Sequence, residues 1–306
     1  LYNITENDEF HTHEEVNAIS LAAYGNRLLV NGGWLGDDMR PPHRNNTLSI
    51  EGERYHKRTG DGLTEGLLAD GFHYACGDSG GALGADAFQR SLLQIDERDS
   101  VPGYFAVFDE VDADAGAAVQ TYLQPACETE VAELRPREAY RAPIDHHAEV
   151  EGVTMLVYYA TEPAAVERDR VDSGFLERTP SSGRHVRLEA DYTTDDWGRL
   201  CIATIVIPRQ DGQPDIMPSR IAHDGVSGAR IEFGNHTKDT LAVTDGQDVC
   251  KLDDWHFQAK AVVLRRRADK CLSYFARHGR LLHAGTTGFE SDRPVSIFMR
   301  GDRGEV

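Results

Sequence analysis

The sequence is short of positive charge, and its few basic residues are mostly of one kind. Against 51 Asp and Glu it has 32 Lys and Arg, which gives a formal net charge of -19, and only five of the basic residues are Lys. Nucleic acids and anionic membranes attract proteins through an excess of positive charge, so this balance excludes a general binder of either. An anionic partner needs a locally basic site.

Cysteine motifs and long apolar runs are also missing. The five cysteines are widely spaced, odd in number and form no Cys-x-x-Cys pair, so neither a zinc knuckle nor a dense disulfide framework is indicated. No apolar run reaches the roughly 20 residues that a membrane-spanning helix needs, so no membrane span is predicted. The chain begins with Leu1 rather than Met, and we expect it to be part of a longer protein.

The sequence does contain a long series of short apolar or alternating runs, nearly all bounded by Gly, Asp or Pro. Such runs are typical of strands at sandwich spacing, and they predict an all-β protein, a large antiparallel multi-sheet β-sandwich. Only residues 82–93 and 164–176 offer helices of any length. The Pro- and Gly-containing segment 208–218 predicts a boundary between a β-sandwich domain, residues 1–207, and a smaller C-terminal β domain, residues 208–306.

A polar stretch near the start, residues 10–17, is the first candidate for chemistry. In an extended strand, residues two apart share a face, so His11, His13, Glu15 and Asn17 are expected to form one row. Burying such a row without partners costs roughly 1–3 kcal/mol per group. The side chains of this row are therefore expected to be exposed to solvent, to bind a metal ion or to belong to a functional site.

A predicted hairpin between residues 26–33 and 47–50 is expected to bring further polar groups towards this row. His11 and His13 can serve as zinc ligands, and His43 is the neighbour that would strengthen such a site, because asparagine is a poor zinc ligand. The plainer interpretation of two histidines on one strand is a solvated face.

A basic segment follows the histidines. Residues 40–58 carry five cations against two acids, a net charge of about +3 inside an acidic chain. Arginine binds carboxylate and sulfate groups through paired hydrogen bonds, so Arg40, Arg44 and Arg54 are predicted to bind an anionic substrate. The alternative, a set of solvated hairpin residues, stays equally open. A second basic run, Arg265-Arg266-Arg267, continues a strand pattern and is interpreted as structural.

Six motifs taken together resemble a known family. They are His11-x-His13-x-Glu15-x-Asn17, Ser20-Leu21-x-Ala23-Tyr24-Gly25, residues 28–33, Asn45-Asn46-Thr47-Leu48-Ser49-Ile50-Glu51-Gly52, Arg90-Ser91-Leu92-Leu93 and residues 104–111. Their order and spacing over residues 10–125 are similar to the C-terminal β-sheet domain of heparinase II/III-like polysaccharide lyases. Beyond residue 125 the resemblance is only architectural.

The resemblance implies β-elimination on an acidic glycan that contains uronic acid, such as a glycosaminoglycan or an alginate-like polymer. In that reaction the uronate carboxylate is neutralised, a base takes the C5 proton and an acid protonates the departing O4. It implies that His11 is a catalytic residue in the substrate cleft, with Asn17 and the arginines contacting substrate. The family's catalytic tyrosine belongs to an N-terminal α/α toroid, so the expected partner is such a helical domain in the parent chain, and a secreted, periplasmic or cell-surface location is favoured.

The resemblance also implies a structural zinc held by His13, but the ligand set departs from the family pattern. Asn31 stands where the family has an aspartate ligand, and Asn45 stands where it has a histidine. The expected metal site, His13, Asn31, His43 and Asn45, therefore depends on His43. Two other hypotheses stay open: a non-catalytic carbohydrate-binding or structural β-sandwich module, and a metal-dependent hydrolase built on His11, His13 and His43.

Overall fold

A computed structural model describes most of the chain and shows an all-β protein, as predicted. The described residues are 1–5, 13–31, 41–57, 59–98, 101–126, 128–131, 139–140, 152–172, 184–221, 223, 225–268, 270–285 and 287–301. The strands are β1 (Leu21–Ala23), β2 (Asn26–Leu29), β3 (Leu48–Ile50), β4 (Gly62–Ala69), β5 (Phe72–Asp78), β6 (Ala87–Ile95), β7 (Tyr104–Asp112), β8 (Ala118–Leu123), β9 (Glu128–Val131), β10 (Ala139–Tyr140), β11 (Val153–Tyr159), β12 (Ala165–Asp172), β13 (Arg184–Thr193), β14 (Arg199–Gln210), β15 (Ser219–Arg220), β16 (Ser227–Glu232), β17 (Thr237–Val243), β18 (Cys250–Leu252), β19 (Trp255–Gln258), β20 (Ala261–Arg267), β21 (Lys270–Ala284) and β22 (Thr287–Arg300).

The strands form three main sheets and one small ribbon. The central sheet has the order β10-β9-β11-β14-β7-β6-β5-β4, and a four-stranded sheet has the order β12-β13-β8-β3. The C-terminal sheet has the order β15-β16-β17-β20-β21-β19-β18, and β22 also pairs with β21. The ribbon is β1 with β2. Neighbouring strands are antiparallel except β9 and β11, which run parallel.

The central sheet is buried on both faces. On β7, Phe105 and Val107 pack into a core shared with the four-stranded sheet. The alternate residues Ala106 and Phe108 pack into a second core, shared with the C-terminal sheet. Since successive side chains point to opposite faces, two cores require an apolar residue at nearly every position.

That two-sided burial explains why the helix predicted over residues 82–93 is wrong, and the helix predicted over residues 164–176 is wrong as well. Residues 82–93 contribute to a short 3-10 turn, Gly80–Ala82, and then to strand β6. The described part of residues 164–176 lies in strand β12. A strand with apolar side chains on both faces loses the alternation that distinguishes it from a helix.

The predicted hairpin also pairs differently. Strand β2 pairs with β1 through a turn at Tyr24 and Gly25, whose φ angles are 52° and 80°. Two successive positive φ angles are what a tight two-residue hairpin requires. Strand β3 pairs instead with β8. The sequence prediction missed the turn because Tyr24 is an unusual residue at such a position.

The predicted domain boundary falls inside a long strand of the central sheet, β14 (Arg199–Gln210). Phe72 of the central sheet and Phe275 of the C-terminal sheet lie with ring centroids 4.8 Å apart, inside one common core. The division at residues 207 and 208 stays a prediction, because the two regions share that core. Within the described residues, no helix is long and apolar enough to cross a membrane.

Candidate functional site

The predicted site residues fall into three groups. His11 and Arg40 lie outside the described residues. Most of the others lie around the start of β3, where the N-terminal segment, β2 and the loop before β3 meet. Arg54 lies beyond β3 on an exposed segment and shares no described hydrogen bond or ion pair with them. The structure therefore brings together most, but not all, of the predicted set.

Four asparagines lie near one another around the start of β3, and we call them the amide cluster: Asn17, Asn31, Asn45 and Asn46. The Asn46 side-chain amide donates to the Ile19 carbonyl at 2.8 Å and to Asn31 Oδ1 at 3.1 Å. The Asn46 backbone N–H donates to the same Asn31 oxygen at 3.1 Å. Asn46 Oδ1 accepts a hydrogen bond from the Gln124 N–H at 2.6 Å. The amides of Asn31 and Asn46 are thus paired with protein groups, whereas the buried Asn45 Oδ1 has no hydrogen-bond partner among the described residues.

Arg90 of β6 stands beneath the amide cluster and is fully buried. Its Nε and Nη2 donate to the Asp109 carboxylate at 2.6 and 2.9 Å. Its Nη1 donates to the carbonyls of Asn17 and Asn46 at 3.0 and 2.7 Å. One buried ion pair therefore ties both asparagine segments to the central sheet.

The predicted polar row over residues 10–17 does not form in its described part, residues 13–17. The chain turns there, since the Ala18 N–H donates to the Glu15 carbonyl at 2.9 Å and Asn17 has a φ of 62°. The Asn17 side chain is buried, where it donates to the Phe88 carbonyl and accepts from Asn3. Asparagine tolerates this left-handed conformation, which breaks the two-residue period. A substrate-binding role for Asn17 stays a prediction, and this burial argues against it.

The donor set near His13 does not fit a zinc ion. Asn31 offers a neutral amide oxygen that already accepts two hydrogen bonds from Asn46, and Asn31 Nδ2 donates to the Glu15 carboxylate at 3.0 Å. Asn45 Nδ2 donates to the Pro41 carbonyl at 3.2 Å. Zinc prefers thiolate, imidazole and carboxylate ligands, and no three His, Cys, Asp or Glu side chains converge in the part of the chain that the structure describes. We derive no step through a metal.

Glu15 is the exceptional carboxyl group of this region. Desolvation by burial raises its pKa from 4.5 to about 7. A carboxyl group with such a pKa holds and releases a proton near neutral pH, which is the property that acid and base catalysts share. Glu15 belongs to the polar row predicted from the sequence, where it was assigned no role of its own.

The surface beside the amide cluster carries His43, Arg44, Tyr122 and Arg187, which we call the His43 face. His43 and Arg44 lie in a single 3-10 turn, Pro42–Arg44. The rings of His43 and Tyr122 meet edge to face with centroids 6.3 Å apart, and the Arg187 guanidinium lies 6.0 Å from the Tyr122 ring centroid.

The surroundings of the His43 face favour a neutral imidazole. Burial lowers the pKa of His43, and the positive charges of Arg187 and Arg44 lower it further. A neutral imidazole accepts a proton, while guanidinium groups beside it attract carboxylate or sulfate.

Tyr122 and Arg187 were missed by the sequence analysis. They lie on β8 and β13, where Tyr122 is the cross-strand partner of Glu189, two residues from Arg187. No local motif marks either residue, because the pairing of distant strands brings them beside His43. Only a correct strand order would have found them.

Comparison with known proteins adds the decisive observation. In sequence, neither a protein-family model nor a curated protein matches the chain. In structure, the chain is similar to heparan sulfate lyase HepC from Pedobacter heparinus, with a TM-score of 0.59 and 14% identity over 77% of this chain and 37% of that chain. A heparinase III gene product gives a TM-score of 0.52 and 10% identity over 76% of this chain and 36% of that chain. The chain has a heparinase-like β fold.

The resemblance predicted from residues 10–125 is thus confirmed at the level of the fold. This heparinase-like fold spans little more than a third of the solved structures that it matches. A shared fold carries no residue roles by itself. The shared fold therefore assigns no role to an individual residue of this chain.

Proposed function

We propose that the chain is the β portion of a polysaccharide lyase that cleaves uronic-acid-containing glycans by β-elimination. The observation that carries the proposal is the heparinase-like fold, which extends over 77% of the chain. The His43 face adds a chemical reason, because it places the Arg44 guanidinium beside an imidazole whose pKa is lowered by burial, whereas Arg187 is already paired with Asp169 and Glu189 at 3.0 and 3.3 Å. Such a face suits a chain whose substrate is an acidic sugar polymer.

Within this proposal the arginines contact the anionic groups of the glycan. Arg54 is exposed and forms no ion pair in the described part of the chain, so its guanidinium is available to a carboxylate or sulfate. Arg44 approaches the same substrate beside His43. His11 and Arg40, outside the described residues, keep their predicted cleft roles, and the catalytic tyrosine is assigned to a helical toroid of a longer parent chain.

The first test is binding. Isothermal titration of the purified chain with heparan sulfate, and with a neutral glycan of similar length, is expected to show binding to the acidic glycan only. Arg54→Gln is expected to weaken that binding roughly tenfold, since it removes one charge-assisted contact. Lys251→Gln is the matched control, because Lys251 is an exposed cation on β18. Equal binding of both glycans, or equal effects of both variants, would contradict the proposal.

The second test is turnover by the longest parent chain that the gene encodes. β-Elimination creates a carbon-carbon double bond conjugated with the uronate carboxylate, which absorbs ultraviolet light. The expected result is a rise in absorbance with an acidic glycan and none with the neutral one. Chain shortening without that absorbance would identify a hydrolase instead.

A non-catalytic carbohydrate-binding module is the second candidate. The amide cluster favours it, because Asn31, at an expected ligand position, is engaged with Glu15 and Asn46. This candidate predicts binding of acidic glycans by the parent chain without any rise in absorbance.

A further inference from the structure

A cavity of about 330 Å³ lies between the central sheet and the C-terminal sheet, away from the amide cluster. Its lining includes Gly71 and Phe72 at the start of β5, whereas Asn3 of the amide-cluster region contacts Asp78 at the end of that strand. Six residue steps at about 3.3 Å separate Phe72 from Asp78, which makes roughly 20 Å. The cavity is therefore distinct from the candidate site described above.

The lining of this cavity is strongly basic. It includes one carboxylate, Asp239, against five cations, which are Arg98, Arg265, Arg267, Lys270 and Arg300. The whole chain has a net charge of -19. A cluster of positive charges in a protein that is acidic overall is typical of an anion-binding site.

The carboxylate of Asp239 is already hydrogen-bonded to two neighbouring side chains. Arg265 Nε and Nη2 donate to Asp239 at 2.8 and 2.7 Å, and the Tyr104 hydroxyl donates to it at 2.6 Å. Burial by itself would lower the pKa of Arg265, but the Asp239 charge and hydrogen bonds outweigh burial and raise it. This pair is a structural unit, which leaves four cations for other partners.

Two of those cations are held at the rim by one exposed carboxylate. Arg98 and Arg300 both donate to Asp70 Oδ2, at 2.9 and 2.8 Å. Gly71 allows this approach, because its φ is 81° and a Cβ there would lie 3.2 Å from Arg300 Nη2. The guanidinium hydrogen bonds lower the pKa of Asp70 to about 2. The two guanidinium groups are thereby fixed side by side.

The remaining two cations, Arg267 and Lys270, have no carboxylate partner in the described part of the chain. Both are exposed, and Arg267 Nε donates to Thr237 Oγ1 at 3.2 Å. The floor is apolar, since the rings of Phe72 and Phe298 stack with centroids 4.8 Å apart. A pocket with an apolar floor and a few convergent polar groups is typical of small-molecule sites.

We propose that this cavity binds an oxyanion, the sulfate group of a sugar or free sulfate, through Arg267 and Lys270 together with the guanidinium pair at its rim. Arginine contacts such groups with parallel hydrogen bonds, and the cavity volume lies at the lower end of ligand pockets, which suits a single sugar residue. The site does not depend on the proposed lyase function. It also revises the interpretation of the run Arg265-Arg266-Arg267: Arg265 and Arg266 are tied to Asp239 and Asp254, but Arg267 is not tied to a carboxylate.

The test is calorimetric titration of the whole chain with sodium sulfate in chloride buffer of matched ionic strength, which keeps screening constant. Sulfate is expected to bind, and the double variant Arg267→Gln, Lys270→Gln is expected to weaken binding at least about tenfold. Asp70→Asn is expected to tighten it several-fold, because this change removes the competing carboxylate. Lys251→Gln is the control and is expected to bind sulfate as the unaltered chain does.

Glucosamine 6-sulfate and glucosamine distinguish the two sources of the anion. Tighter binding of the sulfated sugar than of inorganic sulfate supports a sugar ligand, whereas equal binding supports free sulfate. No binding of either, or an unchanged affinity in the double variant, overturns the proposal. The lyase proposal is tested by a rise in absorbance during turnover and not by sulfate affinity, so failure of this site and failure of the lyase proposal are distinguishable.

Discussion

The amide cluster and the basic cavity are both centred on arginine side chains, but these side chains have different roles in the two regions. At the amide cluster, all three nitrogens of Arg90 donate to protein oxygens, and the residue is buried. At the cavity, Arg267 donates to one hydroxyl, and Arg267 and Lys270 are exposed. Buried guanidinium groups whose N–H donors are all hydrogen-bonded to protein oxygens stabilise the fold. Solvent-exposed cations with few protein partners are available to a ligand. The degree of pairing, rather than the residue type, separates a structural arginine from a binding one.

The largest expected effect comes from replacing Arg90 beneath the amide cluster. Arg90→Met leaves the Asp109 carboxylate buried without its partner and removes the donor shared by the carbonyls of Asn17 and Asn46. We expect a loss of about 3–5 kcal/mol in the free energy of unfolding, measured by urea denaturation. The double variant Arg90→Met, Asp109→Leu is expected to recover part of this loss, because no unpaired charge remains. A loss below about 1 kcal/mol in Arg90→Met would show that the pair is not a structural tie.

A smaller effect is expected from Glu15, whose desolvated carboxyl group accepts a hydrogen bond from Asn31 of the amide cluster. Its pKa is raised from 4.5 to about 7, so the folded protein binds more protons than the unfolded chain between these values. Stability therefore falls as pH rises through that window, and the penalty is complete above about pH 7. Glu15→Gln removes the penalty and can still accept the hydrogen bond from Asn31.

We expect Glu15→Gln to be more stable than the unaltered chain at pH 8, by at most about 3 kcal/mol, and equally stable at pH 4. Urea denaturation at several pH values measures this difference. A constant difference across the whole range would mean that Glu15 acts through packing rather than through its charge.

The fold class was predictable from the sequence because strands bounded by Gly, Asp and Pro repeat along the whole chain. Pairing was less predictable. The turn at Tyr24 and Gly25 depends on a positive φ at a non-glycine residue, and the apolar segment of β6 is buried on both faces. Neither property leaves a distinct sequence pattern.

The two arginine-centred regions differ in how far the sequence predicted them. The motifs that predicted the heparinase-like fold include residues of the amide cluster, although their hydrogen bonds were not predicted. The cavity draws Arg98, Arg267 and Arg300 from loops and strand ends far apart in the chain. Strand pairing within the C-terminal sheet and the packing of that sheet on the central sheet bring them together, so no local spacing indicates the whole set.

The smallest effect on stability is expected from Arg267→Gln, which tests directly whether Arg267 differs from the structural Arg90. Arg267→Gln removes an exposed guanidinium with one side-chain hydrogen bond, so the free energy of unfolding is expected to change by less than about 1 kcal/mol. The same urea denaturation that measures Arg90→Met measures this change. If Arg267→Gln lowered the free energy of unfolding as much as Arg90→Met does, Arg267 would also be a structural residue. The distinction between arginines that stabilise the fold and arginines that bind a ligand would then fail. A small change, accompanied by weaker sulfate binding, would instead show that an exposed cation can be kept for a ligand at little cost to the fold.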